Sequence, residues 1–246
     1  MNLFAKYYDY LVGADYTQII NFLDSSIKQY KPDSELICDL GCGTCNVSVK
    51  LSDIGYDMIA IDSSDDMLSI AKKKVENTKS NSILLLCQDI CNFELYGTVD
   101  VIYSTLDTLN YILFKRDLKR IFALVRNYLN YNGLFIFDIN SHYKFTEILG
   151  NSTYIYDEND EFCVWESFFD RKTSYCSHSL TFFEKNNNGF YRRFNDYQEQ
   201  RYYSQEYIEQ LANKYGFDII KVCDNYTNKK VTSKTERITY VLKVNK

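Results

Sequence analysis

The chain has 246 residues, 46% hydrophobic and 25% charged, with a formal net charge of −5. These proportions exclude disorder and collagen, and the acidic balance argues against a partner that is a nucleic-acid phosphate backbone. No stretch reaches the roughly 18 apolar residues of a membrane span, and the opening MNLFAKYYDYLVGADY lacks a basic head, an apolar core and a small-residue cleavage site, so a cytoplasmic chain with no membrane partner is expected.

From the N-terminus, helical spacing covers residues 16–30 and stops near Pro32. Residues 36–40, 58–61, 83–87, 99–103 and 134–137 are short apolar runs bounded by turn signals, the pattern of buried parallel strands. Helical spacing lies between them at 47–51, 67–75 and 118–129. This alternation implies an α/β fold with a doubly wound, mostly parallel sheet and right-handed crossovers.

The pattern turns β-rich near Asn151, with runs at 161–169, 179–184 and 191–203 and a turn at 186–189. Residues 150–203 are therefore predicted as an antiparallel β insertion after the fifth strand, inside a single domain of 1–246. A helix at 204–215, capped by Ser204 and ended by Gly216, leads to two closing strands at 217–222 and 237–242. Trp165 is expected in the core of the insertion, and the Lys72-Lys73-Lys74 run on a solvated helix face.

The eight cysteines do not read as a disulfide framework, because a chain of this length builds a core without staples. Cys42 and Cys45 form a CxxC, but zinc wants a second pair of matching spacing, and Cys87 and Cys91 are one residue too far apart. His142 and His178 have no matching third ligand, so no metal is expected.

The informative stretch is Leu36-Ile37-Cys38-Asp39-Leu40-Gly41-Cys42-Gly43-Thr44-Cys45-Asn46, a strand that runs into a glycine turn and then a helix. Glycines there let the backbone turn tightly and pass close to a ligand. The next strand ends in Asp62, 19 residues after Gly43, where a carboxylate can accept both hydroxyls of a ribose.

Three details weigh against a nicotinamide cofactor. The dinucleotide fingerprint needs a third glycine where this chain has Asn46. Asp39 at the strand end would repel a pyrophosphate but accept hydrogen bonds from a cationic amine. The closing hairpin is unlike the second half of a dehydrogenase.

With these residues, the chain resembles the class I, Rossmann-like S-adenosylmethionine-dependent methyltransferases. DLGCGTC resembles the family's first motif, AIDSSDDML its ribose acid and following helix, CQDI its adenine loop, and NYNGLFIFDIN its fifth-strand segment. FAKYYDYL, LDTLNYI and RRFNDYQEQRYYS resemble a bacterial small-molecule subgroup akin to sugar-amine N-methyltransferases. The usual motif has glycine at Cys45, and the subgroup often has histidine at Gln198.

The resemblance implies a seven-stranded sheet and S-adenosylmethionine as cofactor. Asp39, Gly41 and Gly43 would hold its methionine portion, Asp62 its ribose, and Asp89 with Ile90 its adenine, with Cys42, Ser63 and Met67 also among the cofactor-binding residues. Tyr8, Asp107, Asn110 and Tyr111 are the candidates beside the transferred methyl, and Arg201 is the candidate to hold an anionic group of the acceptor or to pair with Glu199 or Asp196. The expected function is in-line methyl transfer to a small-molecule acceptor by a monomer or homodimer. An NAD(P)-dependent oxidoreductase and a non-catalytic S-adenosylmethionine-binding regulator are the alternatives.

Overall fold

The structure is a computed structural model and describes residues 3–78, 83–158, 161–186 and 188–245. Two helices open the chain, α1 (Leu3–Val12) and α2 (Tyr16–Tyr30). Asp15 caps α2 by accepting from the Gln18 amide at 3.0 Å. Then follow β1 (Leu36–Leu40), α3 (Asn46–Ile54), β2 (Asp57–Asp62), α4 (Asp65–Glu76), β3 (Ile83–Cys87), β4 (Val99–Ser104), α5 (Lys115–Tyr128) and β5 (Leu129–Asn140). The insertion comprises β6 (Ser152–Glu158), β7 (Glu161–Asp170), β8 (Tyr175–Lys185) and β9 (Tyr191–Arg201). The chain closes with α6 (Gln205–Lys214), β10 (Phe217–Asp224) and β11 (Arg237–Val244).

The main sheet has seven strands in the order β10-β11-β5-β4-β1-β2-β3. Strands β1 to β5 pair in parallel, while β11 runs antiparallel between β5 and β10. Alternation along each strand feeds two cores. Cys38, Leu40, Ile102, Phe135 and Phe137 meet α5 and α6 on one face, and Ile37, Val101, Tyr103 and Ile136 meet α2 and α3 on the other. Strand order reverses between β1 and β4, and ligands of open α/β sheets bind outside the carboxyl ends at such a reversal.

The insertion is a separate four-stranded antiparallel sheet in the order β6-β7-β8-β9. Cys163, Leu180 and Phe182 on its inner face pack on Phe4, Ala5, Tyr7 and Leu11 of α1, which it shares with Met67 of α4.

Two elements carry no local announcement in the sequence. Helix α1 has no acidic first turn and no basic last turn, and it is stabilised by what it covers. Strand β6 supplies an edge that the β-rich runs alone do not declare. Leu129, read as the last residue of a helix, instead opens β5, because it takes φ −74° and ψ 139°. Residue 187 of the 186–189 turn lies outside the described residues.

Candidate active site

The glycine turn after β1 is held by the neighbouring strand: the amides of Gly41 and Cys42 both donate to Ile61 O, at 2.8 and 2.9 Å. Gly41 has φ +76°, and a Cβ there would lie 2.3 Å from Thr108 Cγ2. Close approach of the protein to itself therefore demands glycine at this position. Cys45 also takes a left-handed conformation, φ 62°, with its side chain fully buried beside Ala60 and Ala71. A thiol thus occupies a backbone position that favours glycine, at a strain of about 1–2 kcal/mol.

Asp62 closes the turn from β2. Its Oδ2 accepts from Gly43 N and its Oδ1 from Ser64 N, both at 2.9 Å, which leaves lone pairs on each oxygen. Burial raises its pKa, opposed by the Ser64 and Gly43 bonds. Asp89 is fixed in the loop after β3 by Cys91 N at 2.8 Å and Asn92 Nδ2 at 3.1 Å.

A cavity of about 480 Å³ runs along these groups, lined by Gly41, Gly43, Asp62, Ser63, Met67, Asp89 and Ile90. Two expected members stand outside that lining. Cys42 packs its side chain with Cys45, Ala60 and Ala71 because the Ile61 bond turns the residue toward that cluster. Asp39 lies behind the turn, where Oδ2 accepts from Ser48 Oγ and from Tyr103 Oη at 2.8 Å, while Oδ1 is buried without a partner among the described residues. Burial pushes the Asp39 carboxyl up to about 7.

A second cavity, of about 260 Å³, lies under the insertion and α1. It shares Phe4, Tyr8, Leu106 and Tyr111 with the first, so the two spaces meet at these four side chains. Leu106 and Asp107 both take left-handed conformations, φ 57° and 55°. Asp138 of β5 accepts from Asp107 N at 2.9 Å, Arg237 Nη2 donates to Asp107 Oδ1 at 2.7 Å, and Gln200 Nε2 donates to Asp107 Oδ2 at 2.5 Å. Burial opposes the Asp107 charge, but Arg237 and Lys144 hold its pKa below the usual carboxylate range. Burial, and then Asp107 among other groups, raise the pKa values of the Tyr8 and Tyr111 phenols, which stay protonated.

Asn110 and Arg201 are not at this junction. Asn110 is fully buried, donating to Arg201 O at 2.8 Å and accepting from Asn140 N at 2.8 Å, so it ties the turn after β4 to β5 and β9. Arg201 donates from Nη1 to Leu113 O at 2.7 Å and to Tyr175 Oη at 3.1 Å, and it stacks between the rings of Tyr175 and Tyr203. It lines neither cavity and pairs with neither Glu199 nor Asp196. The pleat explains this: Gln200 faces the 260 Å³ cavity, and the next residue points away.

Sequence reasoning missed Asn140, Lys144, His178, Gln200 and Arg237, all of which line the 260 Å³ cavity. The signal for His178 was its phase, since it shares the inward face of β8 with Leu180 and Phe182. For Arg237 it was a cation at the first position of a largely apolar, buried strand. Lys74 also leaves the solvated face assigned to it: its Nζ donates to Asp9, to Thr44 Oγ1 at 2.9 Å and to Asn46 Oδ1 at 2.6 Å, fastening α1 to the glycine turn.

Comparison with known proteins fits this geometry. Residues 37–133 match the family described as a methyltransferase domain. A Bacillus subtilis (strain 168) protein provisionally named methyltransferase YqeM is 32% identical over 239 residues, covering 96% of this chain and 93% of its own. An S-adenosylmethionine-dependent methyltransferase from Clostridium acetobutylicum ATCC 824 is 36% identical, with a TM-score of 0.88 over 100% of this chain and 99% of that one. The sugar N-methyltransferase KedS8 from Streptoalloteichus sp ATCC 53650 shares the fold at 17% identity, with a TM-score of 0.76 over 95% of this chain and 92% of that one. A glycine turn facing an acid across β1 and β2, on a sheet of this order and with these relatives, makes the chain a member of the S-adenosylmethionine-dependent methyltransferases of class I.

Proposed function

We propose that the protein transfers the methyl group of S-adenosylmethionine to the nitrogen of a small-molecule amine. The observation that carries this is the junction of the two cavities at Phe4, Tyr8, Leu106 and Tyr111. The 480 Å³ cavity takes the cofactor: the free lone pairs of Asp62 face its ribose, Gly41 and Gly43 line the methionine end, and Asp89 and Ile90 line the adenine end. The cofactor supplies an electrophilic methyl on a sulfonium, and the protein must align a nucleophile behind it and exclude water. The 260 Å³ cavity fits a small acceptor, and α1 with the insertion forms its cover.

Nitrogen is favoured because neither the phenols at the junction nor the carboxylates of the 260 Å³ cavity are placed to take a proton. Both oxygens of Asp107 are engaged, and its pKa is low. The phenols of Tyr8 and Tyr111 are protonated, and the other carboxylate lining the 260 Å³ cavity, Glu236, is exposed to solvent. An alcohol or phenol would need a base, whereas a neutral amine brings its own lone pair. Methyl transfer moves positive charge from sulfur to nitrogen, and the ionised Asp107 beside the junction stabilises that charge. The sugar N-methyltransferase fold of KedS8 agrees with an amine acceptor.

The test is formation of S-adenosylhomocysteine with matched panels of small amines, phenols and alcohols. Turnover confined to amines, and lowered in Asp107→Asn, is the expected result. Turnover of phenols or alcohols with no amine activity, or loss of activity in Glu236→Gln alone, would sink it.

A further inference from the structure

We infer that Lys144 Nζ holds a carboxylate in the acceptor cavity, so that the acceptor is an amino acid whose amine lies at the junction and whose carboxylate lies at Lys144. This rests on reading the 260 Å³ cavity as the acceptor site. Lys144 and Arg237 are the cations among the described residues that line this cavity, and neither lines the donor cavity. Arg237 is fully engaged, with Nη2 donating to Asp107 and Nη1 to Asp138. Lys144 Nζ has no hydrogen bond and no close ion pair among the described residues.

The backbone that carries Lys144 is clamped. The residue opens a π-turn, Lys144–Ile148, a form that recurs at functional sites. Its amide donates to Ser141 Oγ at 3.1 Å, and the next side chain, Phe145, is fully buried and stacks on Phe169 at 5.4 Å. The charges that act on Nζ are Glu236 and Arg237 where β11 begins, Asp107 in the turn after β4, and Asp138 of β5. Nζ acts in turn on His178 of β8. Arg237, Glu236, Asp107 and His178 all line the cavity, so the ammonium stands among its walls. Burial and Arg237 lower the Lys144 pKa, while Asp107, Glu236 and Asp138 favour the ammonium form.

An ammonium held out of bulk water without a bond carries a desolvation cost that a bonded carboxylate recovers. Charge balance selects a carboxylate over a phosphate. Asp107 and Asp138 stand against Arg237 and Lys144, two charges of each sign, and Glu236 is exposed. A phosphate would add a surplus of about two negative charges to this balanced wall. An amino acid adds none once methylated. Its neutral amine gives its lone pair to the methyl carbon, the carbon–sulfur bond breaks with its electrons left on sulfur, and the product is an N-methylammonium carboxylate beside a neutral thioether.

The probes are cyclohexanecarboxylate, the similarly shaped cyclohexanecarboxamide and cyclohexylphosphonate, titrated calorimetrically into protein saturated with S-adenosylhomocysteine. The carboxylate should bind about tenfold or more tightly than the carboxamide, because Lys144 meets a charge in one and not in the other. Lys144→Met should erase that preference and Lys144→Arg should keep most of it, with affinity for S-adenosylhomocysteine at the wild-type value in both. If Lys144→Met does not fold, carbon-13 spectra of lysine Cε decide the matter: one resonance, absent in Lys144→Arg, should shift with the carboxylate and not with the carboxamide. Equal affinity for carboxylate and carboxamide, tighter binding of the phosphonate, an unchanged preference in Lys144→Met, or a parallel loss of S-adenosylhomocysteine affinity would overturn the anchor. In turnover of α-amino acids and their amides, Lys144→Met should raise KM for the acids by about tenfold or more and change KM for the amides little. Turnover of amides and simple amines with none of amino acids would overturn the acceptor class. The titrations need no turnover, so a protein that prefers the carboxylate but methylates no amine keeps the anchor and counts against amine methylation.

Discussion

Arg237 Nη2 donates to Asp107 Oδ1 at 2.7 Å while its Nη1 reaches Asp138, so the first residue of the last strand holds the left-handed loop at the meeting point of the two cavities. Asp138 is fully buried, and it also accepts from the Tyr226 hydroxyl. Arg237→Ala would leave two buried carboxylates facing each other. A loss of about 3–5 kcal/mol of stability is expected, measured by urea unfolding. Asp138→Asn in the Arg237→Ala background should recover part of it, because one of the stranded charges is gone.

Gly41→Ala should destabilise by about 2–4 kcal/mol, combining the left-handed backbone with the collision at Thr108 Cγ2. The paired change Thr108→Ala removes the collision but not the backbone strain. A double-mutant cycle in denaturant should therefore show favourable coupling. Additive effects would mean that Thr108 is not what requires glycine here.

Asp62→Ala should weaken S-adenosylmethionine binding by about 1–3 kcal/mol in titration calorimetry, through loss of charge-assisted bonds to the ribose and of the anchors on Gly43 N and Ser64 N. Unchanged affinity would remove Asp62 from the donor site.

Asp39 sets a pH dependence of stability. Its folded pKa, about 7, lies above the ordinary carboxylate value, so its contribution is full below the unfolded pKa and is lost as pH rises through 7. Across the window from about pH 4 to 7 the loss approaches about 1.4 kcal/mol per pH unit. Asp39→Asn keeps an acceptor for Ser48 and Tyr103 without the charge, and it should flatten the melting temperature against pH over this window. A variant that follows the wild-type curve would show that another group controls it.

Asp9 accepts from Thr44 Oγ1 at 2.5 Å, Asn46 Nδ2 at 2.8 Å and Lys74 Nζ, all on or beside the glycine turn. Asp9→Ala should free α1 and with it Tyr8, giving faster amide exchange over residues 3–12 and a raised KM for the donor. Exchange confined to its wild-type rate would place the hold on α1 in the Phe182 and Glu184 contacts of Tyr7.

The sequence alone determined the sheet and its glycine turn, because both are written in short-range patterns. Apolar runs of four or five residues between helical spacings need no distant partner to be read, and Gly41, Gly43 and Asp62 stand at the ends of the first two strands. Helix α1 was not legible, since its stability comes from packing on the insertion and α4. The acceptor side was legible only in part. Tyr8 and Tyr111 reach the junction of the cavities and Asp107 lines the smaller one beside it, whereas Asn110 and Arg201, close to them in sequence or type, became braces between β5, β9 and the turn after β4. His178, Asn140, Gln200 and Arg237 come from four strands far apart in the chain, and only strand register and pleat phase decide that their side chains converge. A one-residue slip in β9 would exchange Gln200 for Arg201 in the cavity wall, which is a choice that tertiary packing makes and that no local pattern encodes.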